Sequence, residues 1–273
     1  MTPEAARPAP RVHPSSVIGA RVELEPGVEI GPFCLLEGSI KIGARTRLLS
    51  HVTVLGDTRI GSDNVLHANV VIGDEPQDIS YTGDPREVQI GDRNIFREAV
   101  TVNRGSQQGR ITIVGDDNYF MQNSHVAHDC RVGNQTIIAG GALLAGWVEV
   151  GDRALVSGNC VVHQFVRIGR LAMMRGLSRT SRDIPPFCIA DATHTVRGIN
   201  LVGLRRAGVA RDSIVALRHA FATLFGARRN LSIAIEELLR DGVSSPEVTE
   251  MVEFIKASKR GVAFGPRDSG DPE

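Results

Sequence analysis

VGDDNYFMQNSHVAHDCRVGNQTIIAGGALLAGWVEVGDRALVSGNCVVHQFVRIG, residues 114–169, decides the fold, because a large apolar residue returns at every sixth position. Val114, Phe120, Val126, Val132, Ile138, Leu144, Val150, Val156, Val162 and Ile168 hold that register. Toward the C-terminus it reaches Met174. Toward the N-terminus it returns at Val102, Phe96 and Ile90, and again from Ile72 back through Leu66, Ile60, Val54, Leu48, Ile42, Leu36, Ile30 and Leu24 to Ile18. A period of six fits neither an amphipathic helix nor an alternating strand that reverses at hairpins. Sustained this long, it marks a solenoid. Each hexad is one short side of a triangular coil, three hexads close an 18-residue turn, and parallel pairing joins successive turns at about 4.8 Å. The expected class is all-β, a parallel β-helix.

The small or branched residues two positions before the large one, such as Ser124, Cys130, Thr136 and Ala142, are expected to fill the remaining interior. Glycine follows the large residue at Gly19, Gly31, Gly43, Gly61, Gly73, Gly91, Gly115, Gly133, Gly151 and Gly169, where it permits a backbone conformation that a side chain would penalise. Aromatics make up 4% of the chain against 42% hydrophobic residues, as suits a prism one strand wide.

Two stretches break the hexads. One is DEPQDISYTGDPREVQ, between Gly73 and Ile90, across which the spacing from Ile72 to Ile90 is still 18. The other is NRGSQQGRITI, between Val102 and Val114. Both read as excursions from the coil and as candidate walls of a site, since loops on a rigid scaffold commonly carry binding residues. The period fades after Met174, and IPPFCI (184–189) marks a turn away from the prism. Helical patterns follow from about Ile199. Asp212 or Ser213 is expected to cap a segment bearing Ile214, Leu217, Phe221, Leu224 and Phe225. Leu231, Ile235, Leu238 and Leu239 mark a second segment. Ser245-Pro246-Glu247 opens a third, with Met251, Phe254 and Ile255. The expected organisation is a β-helix domain over 11–190 and a helical domain over 191–265, with disorder from Pro266.

Thirty-one Lys and Arg balance 31 Asp and Glu, with no block of like charge, so nucleic acid and polybasic membrane anchoring are not expected. The four cysteines form no CxxC pair and read as buried free thiols. No 18-residue apolar run and no leader pattern is found, so a cytoplasmic protein without a transmembrane segment is expected.

Residues 18 or 36 apart share an edge of such a coil. His128 and His163 therefore fall on nearly one edge, two coils or roughly 10 Å apart. With His125 they lie off the inward register, in the polar company of Asn123, Asp129 and Gln164. A neutral imidazole can take a proton from a hydroxyl near neutral pH, and Asp129 can fix its tautomer. A zinc site built from these histidines is the chemical competitor; idle surface histidines are the bland one. Trp147, 18 residues beyond Asp129 and close to the same edge, reads equally as the wall of an apolar groove or as an ordinary interface aromatic, and the amide of Gly146 is an oxyanion-donor candidate. No GxxxxGK[ST] or strand-borne GxGxxG is present, which leaves phosphate recognition to side chains such as Arg205 and Arg206.

IGPFC (30–34), QDISYTGDP (77–85), IGDRNIFREAVTVNRG (90–105), HVAHDCRVGN (125–134), VVHQFVRIG (161–169), RDIPPF (182–187) and GINLVGLRRAG (198–208) together resemble the bacterial acyl-[acyl-carrier-protein]–UDP-N-acetylglucosamine O-acyltransferases of lipid A biosynthesis. The resemblance covers roughly residues 11 to 260. It implies a left-handed β-helix, against the usual crossover hand, assembled as a homotrimer with sites at the subunit clefts. It also implies acyl-carrier protein and UDP-N-acetylglucosamine as partners, with no cofactor and no metal. By the resemblance, His128 is the general base toward the sugar 3-hydroxyl, Asp129 supports it and the Gly146 amide meets the oxyanion. His125 and Asp78 hold the sugar. His163, Gln164 and Arg206 lie near the nucleotide or the phosphopantetheine arm, and Gly176 lies where acyl length is measured. Arg205, Arg206, Arg211 and Arg218 form the contact for an acidic carrier protein.

The chain departs from the family pattern at Trp147 (usually histidine), Ser80 (lysine), Gly140-Gly141 (an asparagine pair) and Ala207 (arginine), all placed by the resemblance in or beside the cleft. The competing functions are an N-acyltransferase of the same pathway acting on an amino-sugar amine, a γ-type zinc carbonic anhydrase, and a non-catalytic trimeric scaffold.

Overall fold

The computed structural model describes residues 8–83, 86–226 and 230–265. The expectation for the residues from Pro266 on, and the Asp84-Pro85 end of the QDISYTGDP motif, lie outside these.

Three faces of short parallel strands form a triangular coil. The first face stacks Arg11–Val12, Glu29–Ile30, Arg47–Leu48, Val65–Leu66, Ile95–Phe96, Tyr119–Phe120, Ile137–Ile138, Leu155–Val156 and Met173–Met174 in parallel register. The second includes Val71–Asp74, Thr101–Asn103, His125–Val126, Leu143–Leu144, Val161–Val162 and Arg179–Thr180. The third includes Glu87–Ile90, Ile111–Val114, Arg131–Val132, Glu149–Val150 and Arg167–Ile168. In the early coils, Leu35–Ile42 and Thr53–Ile60 run unbroken from the second face into the third.

The hexad residues point inward as expected: Leu36, Leu66, Ile72, Phe96, Phe120, Val126, Leu144 and Met174 are fully shielded. Phe96 and Phe120, one above the other, stack at 4.7 Å with rings 4° apart. Ser124, Cys130, Thr136 and Ala142 are fully buried as well. At these corner positions a short donor reaches a carbonyl of the next coil: Thr46 Oγ1 donates to Gly61 O at 2.7 Å and Cys130 Sγ to Ala145 O at 3.2 Å. A buried polar atom is thereby satisfied without widening the prism.

The role expected of the hexad glycines is corrected by the structure. Among the ten, only Gly73 has a positive φ (80°). The left-handed conformation instead falls three residues after the inward one, on side-chain-bearing residues such as Phe33, Arg45, His51, Asp129, Trp147 and Phe165. Glycine is needed because the next coil comes too close. A Cβ on Gly43 would lie 2.5 Å from Gly61 C, and one on Gly169 would lie 2.3 Å from Pro186 N.

The excursions also differ in phase from the sequence expectation. Ile90 does not lie above Ile72; it pairs with Ile60, thirty residues earlier, while Ile72 pairs with Val102. Twelve residues have therefore left the coil. Ile90 pairs in turn with Val114, twenty-four residues on, so the second excursion removes six. From Ile113 to Arg179 the spacing is a strict 18, and it shortens to 16 where Met173 pairs with Ile189 in the last coil. Both excursions depart between the second and third faces, at one and the same corner.

The last coil ends in an antiparallel hairpin, Cys188–Asp191 with Thr195–Ile199. Among the described residues four helices follow: α1 (Leu201–Arg206), α2 (Arg211–Phe225), α3 (Leu231–Arg240) and α4 (Pro246–Lys256). Ser245 caps α4 through Val248 N–H, as expected. The cap expected of Asp212 or Ser213 does not form: α2 begins at Arg211, and Asp212 occupies its first turn, where a carboxylate favours the positive end of the helix dipole. Leu217, Leu224, Ile235, Leu238, Met251 and Ile255 are buried, whereas Leu239 is exposed. The helices are tied to the prism by Arg167, whose guanidinium donates to Asp183 Oδ2 from Nε and Nη2 and to Phe254 O of α4, and by Arg170–Glu250.

Candidate active site

Above the excursions, the coils turn from the second face to the third through a two-residue corner. His128-Asp129, Gly146-Trp147 and Gln164-Phe165 occupy this corner in three successive coils, joined by Trp147 N–H to His128 O and Phe165 N–H to Gly146 O, both at 3.0 Å. His163 immediately precedes Gln164. The shared edge expected for His128 and His163 is present, and the two excursions leave the prism from the coils just below it.

The left-handed backbone at Asp129 (φ 61°) turns its carboxylate back onto its neighbour, and His128 Nδ1 lies 2.7 Å from Asp129 Oδ2. The Asp129 side chain is 1% exposed and that of His128 is 11% exposed. A carboxylate only accepts, so the ring presents Nδ1–H to it and leaves Nε2 as the basic nitrogen. Gly146 lies directly over the ring: a Cβ there would stand 2.5 Å from His128 Cε1 and 2.7 Å from Nε2. Among the described residues the Gly146 N–H donates to no acceptor. A base and an unengaged amide donor thus sit within one coil step.

His125 projects from the second face, with Nδ1 2.7 Å from Thr101 Oγ1. Burial, and secondarily the neighbouring His128, pushes its pKa down, which favours the neutral ring. Asp78, in the first excursion, accepts from Ser80 Oγ at 2.7 Å and Ser80 N–H at 2.9 Å. These bonds hold its carboxyl below the usual range, with smaller contributions from Ser106 and His128. His163 and Gln164 are exposed on the corner, and His163 Nδ1 lies 3.3 Å from Arg260 Nη2. The Trp147 ring stacks on Phe165 at 5.7 Å, and the Arg110 guanidinium lies 4.9 Å from its centroid.

Two residues stand apart within this chain. Gly176 is on the corner between the first and second faces, in a column with Gly140 and Gly158. The Gly140-Gly141 departure is therefore also on that corner. Arg206 is exposed at the end of α1, which Asn200 fastens to the third corner through Leu171 O at 2.9 Å. Among the described residues, no three His, Cys, Asp or Glu side chains converge in a way that would hold a metal ion.

Ser106, Arg110 and Arg260 have no counterpart among the sequence-derived candidates. Ser106 donates to Asp129 from both its N–H and its hydroxyl. The only signal was their place in excursions or tail segments, because their partners are 23 to 97 residues away.

Residues 183–263 match the family described as "Udp N-acetylglucosamine O-acyltransferase; Domain 2", and residues 111–146 match "Bacterial transferase hexapeptide (six repeats)". An acyl-[acyl-carrier-protein]–UDP-N-acetylglucosamine O-acyltransferase of Thermodesulfovibrio yellowstonii is 42% identical over 253 residues, covering 92% of this chain and 98% of that one. The structure of the UDP-N-acetylglucosamine acyltransferase of Francisella novicida superimposes with TM-score 0.88 at 32% identity, covering 94% of this chain and 95% of that one. The Arabidopsis enzyme gives 0.80 at 32% identity, covering 94% and 99%. The left-handed parallel β-helix with a helical C-terminal region is shared along almost the whole length. With this coil, this corner and these relatives, the chain belongs to the acyl-[acyl-carrier-protein]–UDP-N-acetylglucosamine O-acyltransferase family.

Proposed function

We propose that the protein transfers an acyl chain, 3-hydroxylated in the expected substrate, from acyl-carrier protein to the 3-hydroxyl of UDP-N-acetylglucosamine, the first step of lipid A biosynthesis. The observation that carries this reading is the His128–Asp129 dyad beneath the Gly146 amide. His128 Nε2 removes the hydroxyl proton while the oxygen attacks the thioester carbonyl carbon. The C–O bond forms, and the Gly146 N–H donates to the resulting oxyanion. Collapse breaks the C–S bond, and the leaving thiolate takes the proton from the imidazolium. Asp129 stabilises that imidazolium, and no acyl-enzyme is formed.

In this reading His125 and Asp78 hold the sugar, and His163, Gln164 and Arg206 hold the nucleotide or the phosphopantetheine arm. Gly176 borders the acyl chain. One chain does not bring Gly176 and Arg206 to His128, which supports a homotrimer whose neighbouring subunits complete each cleft. The outward side chains of the second face and its corner, Leu143, Val161 and Leu177, are 42%, 47% and 79% exposed, and a neighbouring subunit would cover them. The division into a β-helix over 11–190 and a helical unit over 191–265, and a cytoplasmic location, belong to the same proposal. Among the described residues no helix is long and apolar enough to cross a membrane.

The test is a mass-spectrometric assay of acyl transfer with a panel of acyl-carrier proteins and with UDP-N-acetylglucosamine and its 3-amino analogue as acceptors. His128→Ala is expected to lower turnover by about 10²-fold or more. Undiminished transfer by that variant, or none by the wild type, overturns the reading.

A further inference from the structure

The Asp129 carboxylate is all but sealed from solvent, yet it is saturated with donors. It accepts the Ser106 N–H at 3.1 and 3.2 Å, the Ser106 hydroxyl at 2.7 Å and His128 Nδ1–H at 2.7 Å. Its own backbone N–H is engaged by Thr112 Oγ1 at 2.8 Å. The geometry points to Ser106 as a positioning residue for the proposed acyl transfer: its amide and hydroxyl fix the Asp129 carboxylate in the orientation that holds His128 with Nδ1 protonated and Nε2 facing the acceptor. This rests on His128 being the base.

The second excursion is built to deliver that serine. A Cβ on Gly105 would stand 2.5 Å from Arg110 O and 3.1 Å from Asp129 Oδ1, so the loop closes onto itself and onto the carboxylate only without a side chain there. Arg110, at the loop's far end, lies over Trp147 one coil higher. The excursion is thus moored to two successive coils of the corner, and Ser106 is 8% exposed. Asp78 of the first excursion faces the same hydroxyl. A hydroxyl has one proton to donate, and at 2.7 Å it goes to Asp129 Oδ2.

The charged groups facing His128 are Asp129 on its own corner, Asp78 on the first excursion and His125 on the second face. Removing the hydroxyl donor concentrates charge on Asp129 and makes it a stronger acceptor from Nδ1–H, which favours the imidazolium. Because transfer needs the neutral ring, the acid limb of kcat/KM moves to higher pH.

Ser106→Ala, Ser106→Cys and Ser106→Thr would be compared with wild type by kcat, by the pH profile of kcat/KM, and by titrating the ¹⁵N-labelled His128 ring without substrates. Loss of a hydrogen bond to a buried charge is expected to lower kcat about 10-fold or more in Ser106→Ala. It should also raise both the acid limb and the ring titration, with Thr restoring both. Cys, of similar size and a weak donor, makes the same comparison if Ala does not fold. A ring titration and acid limb identical to wild type in Ala or Cys, or a Thr variant as impaired as Ala, overturns the assignment. So does an equal shift in Arg110→Ala, which loosens the loop but keeps the donor. If wild type transfers no acyl group, or His128→Ala remains active, the functional reading fails instead, and the substrate-free titration still decides the role of Ser106.

Discussion

Gly146→Ala adds one methyl group at the point where the coil meets the catalytic ring. The added carbon would stand 2.5 Å from His128 Cε1, 2.7 Å from Nε2 and 3.1 Å from Nδ1, whereas ordinary contacts begin at 3.4 Å. Gly146 has no positive φ, so the backbone itself accepts alanine, and its N–H is retained. The ring must therefore retreat by about 1 Å, which takes the 2.7 Å bond to Asp129 beyond hydrogen-bond length. Misplacement of about 1 Å at a reacting group costs on the order of 10² in rate. Stability should fall by about 1–3 kcal/mol or less, because the ring borders solvent and can swing outward. The assay is single-turnover acyl transfer with urea unfolding as the control, run on Gly146→Ala, His128→Ala and the double variant. If the methyl acts through the ring, it costs little once His128 is gone, and the two losses fail to multiply. Multiplicative losses, or a fully active Gly146→Ala, would refute the proposed contact.

Two further outcomes concern the scaffold. Burial pushes the Cys130 thiol up to about 12, and burial raises Cys34, Cys160 and Cys188 as well. Above the ordinary thiol range the unfolded chain loses protons that the folded chain keeps, so stability should fall as pH rises from about 8.5 toward 10.5. Urea midpoints that do not decline over this range, or a native protein whose thiols react with a disulfide reagent at pH 8, would contradict it. Gly43→Ala places a methyl group 2.5 Å from Gly61 C and 2.7 Å from Ser62 N, rigid backbone that cannot yield, while Gly158→Ala meets only Gly140 O at 3.4 Å. The first should lose about 3 kcal/mol or more of unfolding free energy and the second about 0.5 or less, an order that equal midpoints would reject.

The fold was legible because its interior is written at a period no other architecture uses. From Val114 to Met174 the inward residues could be named one by one. Phase across the first excursion was not legible. Its twelve extra residues make two whole hexads, so Ile90 keeps step with Ile72 in the sequence while sitting above Ile60 in space. The glycine rows were visible but their cause was not, since a carbonyl 18 residues away leaves no local trace. The dyad could be read because His128 and Asp129 are adjacent and their corner recurs at 146 and 164. Ser106 could not: it reaches Asp129 from a loop 23 residues earlier, and nothing in NRGSQQG indicates which atom it will meet. Gly176 and Arg206 resemble site residues in sequence yet stand on other edges of the isolated chain.

The left-handed residue at each corner has a further consequence. That geometry recurs under Phe33, Arg45, His51, Ala99, Asp129, Gln135, Trp147 and Leu177, side chains with nothing in common. Where the corner side chain is exposed, as at Phe33, Arg45, His51, Gln135 and Leu177, it points away from the interior, so exchanging it leaves the inner ladder untouched. Such corners work as interchangeable sockets along a fixed rail. Aspartate, tryptophan and phenylalanine fill three adjacent sockets on the catalytic rail; Trp147 and Phe165 can be exchanged there without disturbing the inner ladder, whereas Asp129, sealed and held by Ser106 and His128, cannot.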